Sequence, residues 1–239
     1  MGALLTFEVR RLVRSPRFFI FTIAFPLAMF LAFSAAYGNA DPEAVTFLMV
    51  SMAAFGAVAA SISTGARAAI ERQVGWNRQL RLTPLGGGQY LVSKVVAAML
   101  VALPSMLLVY AAGILLEGVS LGSGTWLQLI VFCWLGVLPT AVLGLLVGLL
   151  ATGDSAQAMS SVLMMALSML GGLLLPLTTL PAVMTYIAKA LPSYWLAEFG
   201  HDALAGNAIS VQGVLTMTVW VAVAGALVAL RYRRDAARG

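Results

Sequence analysis

The sequence contains very little charge for its length. Of its 239 residues, 61% are hydrophobic and only 10% are charged, with 14 Lys and Arg against 9 Asp and Glu. About a quarter of the residues in a soluble domain are charged, because its surface must be hydrated. This chain cannot cover such a surface. A soluble globular fold is therefore excluded, and an integral membrane protein is indicated.

Residue types that build catalytic and metal sites are also scarce. His201 is the single histidine and Cys133 the single cysteine, which excludes a multi-histidine metal site and a disulfide within the chain. No G-x-x-x-x-G-K-[ST] phosphate loop occurs, since Gly86–Gly88 and Ser93–Lys94 do not have that spacing. The chain is therefore predicted not to be an enzyme and to bind no cofactor by itself.

Long apolar runs occur six times. A helix needs about 20 apolar residues to cross roughly 30 Å of hydrocarbon. The runs of this length are residues 18–37, 44–65, 89–116, 126–152, 157–178 and 211–230. The third and fourth are long enough to tilt or kink, and they contain Pro104 and Pro139. We predict an all-α integral membrane protein, with six transmembrane helices in one transmembrane domain over residues 1–239.

The basic residues predict the orientation of these spans. All Lys and Arg residues except Lys189 lie before the first run, between the second run and the start of the third, or after the sixth. The positive-inside rule makes that side cytoplasmic. The prediction is a multi-pass protein of the cell (plasma or inner) membrane with both termini in the cytoplasm. Since the arginines orient the chain and contact anionic lipids, no nucleic-acid partner is expected.

Three segments outside the spans have predicted structures of their own. Residues 3–15 predict an interfacial elbow helix, with apolar residues on one side. Its other side carries Arg10, Arg11 and Arg14. Residues 66–87 form the one sizeable cytoplasmic loop. Residues 179–209 are apolar but interrupted by prolines into halves too short to cross, which predicts an extracellular re-entrant helical hairpin.

No carboxylate is predicted in the middle of a span. Ion-coupled carriers and proton relays usually need ionisable groups there. An ion-coupled secondary carrier is therefore a disfavoured alternative, and a membrane enzyme or a non-transporting membrane scaffold are others. If the chain transports, its energy is expected to arrive mechanically through the cytoplasmic loop at residues 66–87.

Three stretches resemble the permease subunits of type-2 ATP-binding-cassette (ABC) exporters. Ala66–Leu85 carries a Glu-Arg pair, a glycine four residues after the Glu and a Leu-Thr-Pro-Leu ending, as in the cytoplasmic coupling helix of that family. Gly171–Trp195 resembles the fifth span and the re-entrant helices of the family, and Arg14–Phe19 resembles its elbow-to-span junction. The likeness covers essentially the whole chain. The pair His201-Asp202 departs from the basic residue that many members carry nearby, so no role is transferred to it.

The resemblance implies the membrane subunit of an ATP-driven exporter. Its expected partners are two copies of a separate ATPase subunit, which bind ATP and Mg, and a second permease protomer, either identical or a sister permease. The residues expected to couple the chain to the ATPase are Arg67, Glu71, Arg72, Gly75, Trp76, Arg78, Arg81, Thr83 and Pro84.

Met and Phe side chains in the spans are candidates for a substrate pathway, since they adapt to varied apolar shapes. The candidates are Phe25, Met29, Phe33, Met52, Phe55, Met164, Met165 and Met169. A hydrophobic or amphipathic small molecule, such as a drug, an antibiotic or a lipid-like compound, is the predicted substrate. Ordinary helix packing is the alternative for each residue. Gly144-x-x-x-Gly148 permits close helix approach, within one chain or between two.

Overall fold

All regular structure is helical in the computed structural model, which describes residues 20–37, 42–74, 86–174 and 181–237. The predicted all-α class is confirmed. A short π-helix at Ile20–Ala24 precedes the α-helices. These are α1 (Phe25–Tyr37), α2 (Pro42–Gln73), α3 (Gly87–Leu115), α4 (Ser123–Gly136), α5 (Leu138–Leu150), α6 (Gly153–Leu170), α7 (Ala182–Ala190), α8 (Pro192–Leu204) and α9 (Val211–Ala237).

Helices occur at all six predicted spans, but their lengths fall into two groups. Within the described residues, four segments are long and apolar enough to cross a membrane: α2, α3, the α4–α5 pair and α9. The first and fifth predicted spans contain the shorter apolar segments Thr22–Ala36 and Ser155–Leu170. Both of these predicted spans include residues outside the described part of the chain. The count of six spans therefore stays a prediction.

Helix α2 continues past the predicted end of the second span. The apolar run ends near residue 65, whereas the helix ends at Gln73. Alanine is the best helix former, and the alanines at 66, 68 and 69 are buried. The first part of the predicted loop is thus the last two turns of α2. Residues 75–85 of that loop, and the whole predicted elbow at 3–15, lie outside the described residues.

The fourth predicted span is broken at Val137. Pro139 lies in the first turn of α5, where its missing N–H interrupts no helical hydrogen bond. One turn before the break, the indole Nε1 of Trp134 donates to the Met99 carbonyl of α3 at 2.9 Å. Pro104, by contrast, lies inside the uninterrupted helix α3. The break at Val137 therefore divides this span into α4 and α5, while α3 stays continuous past its proline.

Helix α2 is the centre of the molecule. It packs against α1, α3, α5, α6 and α8, and every residue from Met49 to Ile62 is buried. At the other extreme, only 22% of the most apolar stretch of α9 is buried. The outer face of α9 is therefore left for lipid or for another chain.

Glycines bring α2 and α5 into backbone contact. A Cβ added at Gly144 would lie 2.6 Å from the Ile62 Cα, and one added at Gly65 would lie 2.3 Å from the Leu145 nitrogen. The hydroxyls of Ser61 and Thr140 are 2.9 Å apart between the same two helices. The close approach that Gly144-x-x-x-Gly148 permits is thus used inside the chain.

Two short helices, α7 and α8, occupy most of the segment predicted as a hairpin. Pro192 begins α8, where proline is tolerated at the first helical positions. The indole of Trp195 is buried and its Nε1 donates to the Lys189 carbonyl at 2.7 Å, which ties α8 back to α7. The location of this pair at the outer surface of the membrane stays a prediction.

Candidate functional site

A buried ion pair joins the end of α2 to the start of α3. The Lys94 ammonium lies 2.7 Å from both carboxylate oxygens of Glu71, and the two side chains are only 2% and 3% exposed. The Tyr90 hydroxyl donates to Glu71 Oε2 at 3.3 Å. The Lys94 ammonium also lies 5.5 Å from the centre of the Tyr90 ring, within reach of a cation–π contact.

Such a pair is expensive to bury. Dehydrating each ion costs on the order of several kcal/mol, and mutual attraction offsets this only when the geometry is good. A well-packed apolar pair of similar size is often equally stable or more stable. An ionisable pair inside a membrane protein is for this reason a candidate functional feature. Glu71, predicted on the basis of the resemblance to couple to an ATPase, is here occupied by contacts within its own chain.

Arg72 reaches in a different direction. Its guanidinium donates to the carbonyls of Gly148 and Leu149, the last turn of α5. Cations at a helix C-terminus bind its unpaired carbonyls and complement the helix dipole. The same guanidinium lies 3.5 Å from a carboxylate oxygen of Asp235 in α9, and Arg231 lies 3.5 Å from the other. Together, Glu71 and Arg72 connect the last turn of α2 to α3, α5 and α9.

Apolar side chains are exposed at this end of α2, beside the exposed Gln73. Ile70 is 47% exposed and Val74 is 71% exposed, and Val92 in the facing part of α3 is 53% exposed. The chain thus buries a carboxylate and an ammonium while turning branched aliphatic residues outward. Exposed aliphatic side chains grouped in this way are typical of a membrane or protein contact.

The structure describes only part of the predicted coupling set. Arg67 is partly buried on α2, while Glu71 and Arg72 make the contacts above. The remaining residues of the set, together with the three arginines of the predicted elbow, lie outside the described residues: Gly75, Trp76, Arg78, Arg81, Thr83, Pro84, Arg10, Arg11 and Arg14.

The candidate pathway residues have different surroundings in the part of the chain that the structure describes. Met52 and Phe55 are buried in the core, and the Phe55 ring contacts that of Phe25 with centroids 6.0 Å apart. Met165 and Met169 are about half exposed on α6, on a different side of α2. Met29, Phe33 and Met164 are partly buried against the core. A cavity of about 270 Å³ between α4 and α8 is lined by Gln128, Phe132, Phe199, Ala203, Asn207, Ala208 and Ile209, and by none of the candidates.

A polar cluster on α8 is the main feature that sequence reasoning left without a role. The His201 ring stacks on Phe47 of α2 with centroids 3.9 Å apart, and its Nε2 lies 3.3 Å from the Ser51 hydroxyl. Its Nδ1 lies 3.9 Å from a carboxylate oxygen of Glu198, one turn earlier. The helical spacing of Glu198 and His201 could have suggested this pair, but the contacts with α2 have no signature in the sequence.

The ionisation of this cluster is perturbed. Interaction with His201 is the main reason why the pKa of Glu198 is lowered, and the Tyr194 hydroxyl acts in the same direction. Burial, followed by repulsion from Glu198, raises the pKa of Asp202. Burial also raises the pKa of Tyr194. Glu198 is thus the carboxylate that this part of the fold holds ionised.

Comparison with known proteins gives a consistent result. The profile of the family described as ABC-2 type transporter matches residues 1–201. A relative from Bacillus subtilis (strain 168), named as a proposed transport permease, YvfS, is 26% identical over 218 residues, covering 90% of this chain and 89% of the relative. The match extends over the described ends of α2 and α3 and over the cluster on α8 up to His201.

Proposed function

Because this chain belongs to the ABC-2 type transporter family, we propose that its role as a membrane transport permease subunit is that of an ATP-driven exporter. Two copies of a separate ATPase subunit would supply the energy and bind the ATP and Mg. The permease works as a dimer, with an identical chain or a sister permease, in the cell membrane with both termini cytoplasmic. The family match, which covers most of the chain, is the observation that carries the proposal.

The ATPase docks at the end of α2 and on the loop that follows. The exposed aliphatic side chains of Ile70 and Val74 support this placement, because they follow a stretch of α2 that is already long enough to cross the hydrocarbon. Trp76 and Arg78 follow directly in the sequence. Aromatic and arginine side chains are enriched among the residues that contribute most to protein interfaces.

Substitutions in the loop test this docking. We expect Trp76→Ala and Arg78→Glu to lower the amount of ATPase that co-purifies with the chain by about tenfold, as expected for loss of a central interface residue. Lys189→Glu is the matched control, because it reverses an exposed cation in the segment predicted to lie outside. Full co-purification with both loop variants, at normal expression, would refute the docking site.

The cargo is a hydrophobic or amphipathic small molecule, and it passes between protomers. Exposed Met165 and Met169 on α6, with Phe25 on α1, are the candidate lining, because they face away from the core of their own chain. Cells lacking the permease are expected to become more susceptible to compounds of this class. This susceptibility is measured as growth inhibition across a panel of compounds. Cells that carry the Trp76→Ala chain serve as an uncoupled reference. An unchanged profile contradicts the cargo class.

A further inference from the structure

The Glu71–Lys94 pair holds both ends of one loop. Glu71 is two residues before the end of α2, and Lys94 is in the second turn of α3. The segment between these helices contains the proposed docking loop. The pair joins the two helices at the ends of this segment. We therefore expect α2 and α3 to move together when the loop is displaced.

Neighbouring contacts connect two more helices, α5 and α9, to α2 and α3. Tyr90 binds the Glu71 carboxylate, and its ring lies against that of Tyr232 in α9 with centroids 6.1 Å apart. Arg72 connects the same turn of α2 to the end of α5. Four helices therefore meet at the turn of α2 that leads into the docking loop.

The chemistry of the pair favours a positioning role. Apolar side chains would hold the two helices together equally well, but they can slide past one another. A carboxylate with an ammonium 2.7 Å from both of its oxygens favours one register, because a shift along the helices pulls two buried opposite charges apart.

We propose that Glu71 and Lys94 are positioning residues that transmit ATPase movement from the docking loop to the helix bundle. They do so without contacting the ATPase. This inference rests on the proposed function. Loss of the pair leaves the ATPase bound and hydrolysing ATP. The end of the helix bundle opposite the docking loop, where α8 ends, no longer responds to nucleotide.

The test measures the response at the far end directly. Ala205, exposed after α8, is changed to Cys in a Cys133→Ala chain, and the complex with its co-purifying ATPase is placed in lipid nanodiscs. The maleimide labelling rate is measured with and without ATP and vanadate. In the complex that carries only these two changes, we expect nucleotide to change the labelling rate at position 205 by about fivefold or more. Fivefold is near the lower limit of the usual coupling between two sites. In Glu71→Gln and in Lys94→Met the change falls below about twofold.

Two further variants separate positioning from folding. Glu71→Lys with Lys94→Glu restores an ion pair and should regain more than about half of the nucleotide response. Glu71→Met with Lys94→Met keeps an apolar contact, so it should keep ATPase binding and thermal stability but not the response. Glu117→Gln is the matched control, because Glu117 accepts a hydrogen bond from Ser34 at 2.7 Å near the opposite end of α3.

The outcomes are distinct. A normal response in Glu71→Gln, or a normal response in the double methionine chain, overturns the positioning role while leaving the proposed function intact. A charge-swapped chain that folds and binds the ATPase but responds no better than the single variants overturns it as well. If the unchanged chain retains no ATPase, the proposed function fails and this inference fails with it.

Discussion

Glu71 and Arg72 are neighbours in the chain, yet they contact different helices. Consecutive residues of an α-helix point about 100° apart, so Glu71 faces α3 while Arg72 faces α5 and α9. In the sequence the two residues look like the start of a solvated loop, because charge predicts contact with water. Their partners lie 19 or more positions away in the chain. Nothing in the local pattern indicates those partners.

The cluster on α8 predicts a pH-dependent stability. Because the pKa of Glu198 is lowered, its ionised form stabilises the folded chain at pH values above the usual pKa of 4.5, and this contribution is lost as the pH falls through the lowered pKa. We expect Glu198→Gln to lower the melting temperature at pH 7 by about 2 °C, since the side chain is one-third exposed. The difference should disappear in acid, as measured by thermal unfolding in detergent.

Asp202 provides a control of opposite sign. Burial raises its pKa, so the ionised form is disfavoured in the folded chain and stability is lost as the pH rises through that pKa. At pH 7 the melting temperature of Asp202→Asn should therefore equal or exceed that of the unchanged chain. In acid the variant should not melt at a higher temperature than the unchanged chain. A loss of stability at pH 7 in Asp202→Asn equal to that of Glu198→Gln would contradict this account.

At the scale of helices, the crossing of α2 and α5 depends on the absence of side chains. A Cβ at Gly144 would meet the Ile62 backbone at 2.6 Å and 2.8 Å, and a backbone cannot move aside as a flexible side chain can. We expect Gly144→Ala to cost about 1–3 kcal/mol of stability, the usual cost of overpacking. Thermal unfolding of the detergent-solubilised chain measures the loss.

Gly225 is the matched control for this substitution. It lies in α9, and a Cβ added there meets nothing within 4 Å. Alanine exceeds glycine in helix propensity by about 1 kcal/mol, so Gly225→Ala should be neutral or stabilising. Equal losses at both positions would show that helix packing at Gly144 is not the cause.

The helices were more predictable than their ends and contacts. Apolar runs predict where helices form, because a membrane leaves few other ways to satisfy backbone hydrogen bonds. Pro139 also indicated the break before α5. Helix α2 continues past the predicted end of its span, since residues 66–73 lose the apolar pattern without losing helix propensity. The stack of His201 on Phe47 depends on how α8 packs against α2, which no local pattern encodes.

For the whole molecule, the predicted topology places Val74 in the cytoplasm and Ala205 outside, with three crossings between them. Both residues are exposed. In a Cys133→Ala chain, Ala205→Cys should react with a membrane-impermeant maleimide in intact cells, and Val74→Cys should react only after permeabilisation. Labelling of both variants from outside would contradict an odd number of crossings between these positions.

The contacts of Arg72 and Arg231 with Asp235 also bear on how the chain is assembled. Arg72 is synthesised more than 160 residues before Asp235. The ribosome therefore releases α2 long before the carboxylate partner of Arg72 exists. Until α9 is inserted, Tyr232 cannot fill the space beside Gly87, where an added Cβ would lie 2.3 Å from its ring. Biogenesis thus completes this surface only once α9 has been made, and a chain arrested earlier would present that surface unfinished to quality control.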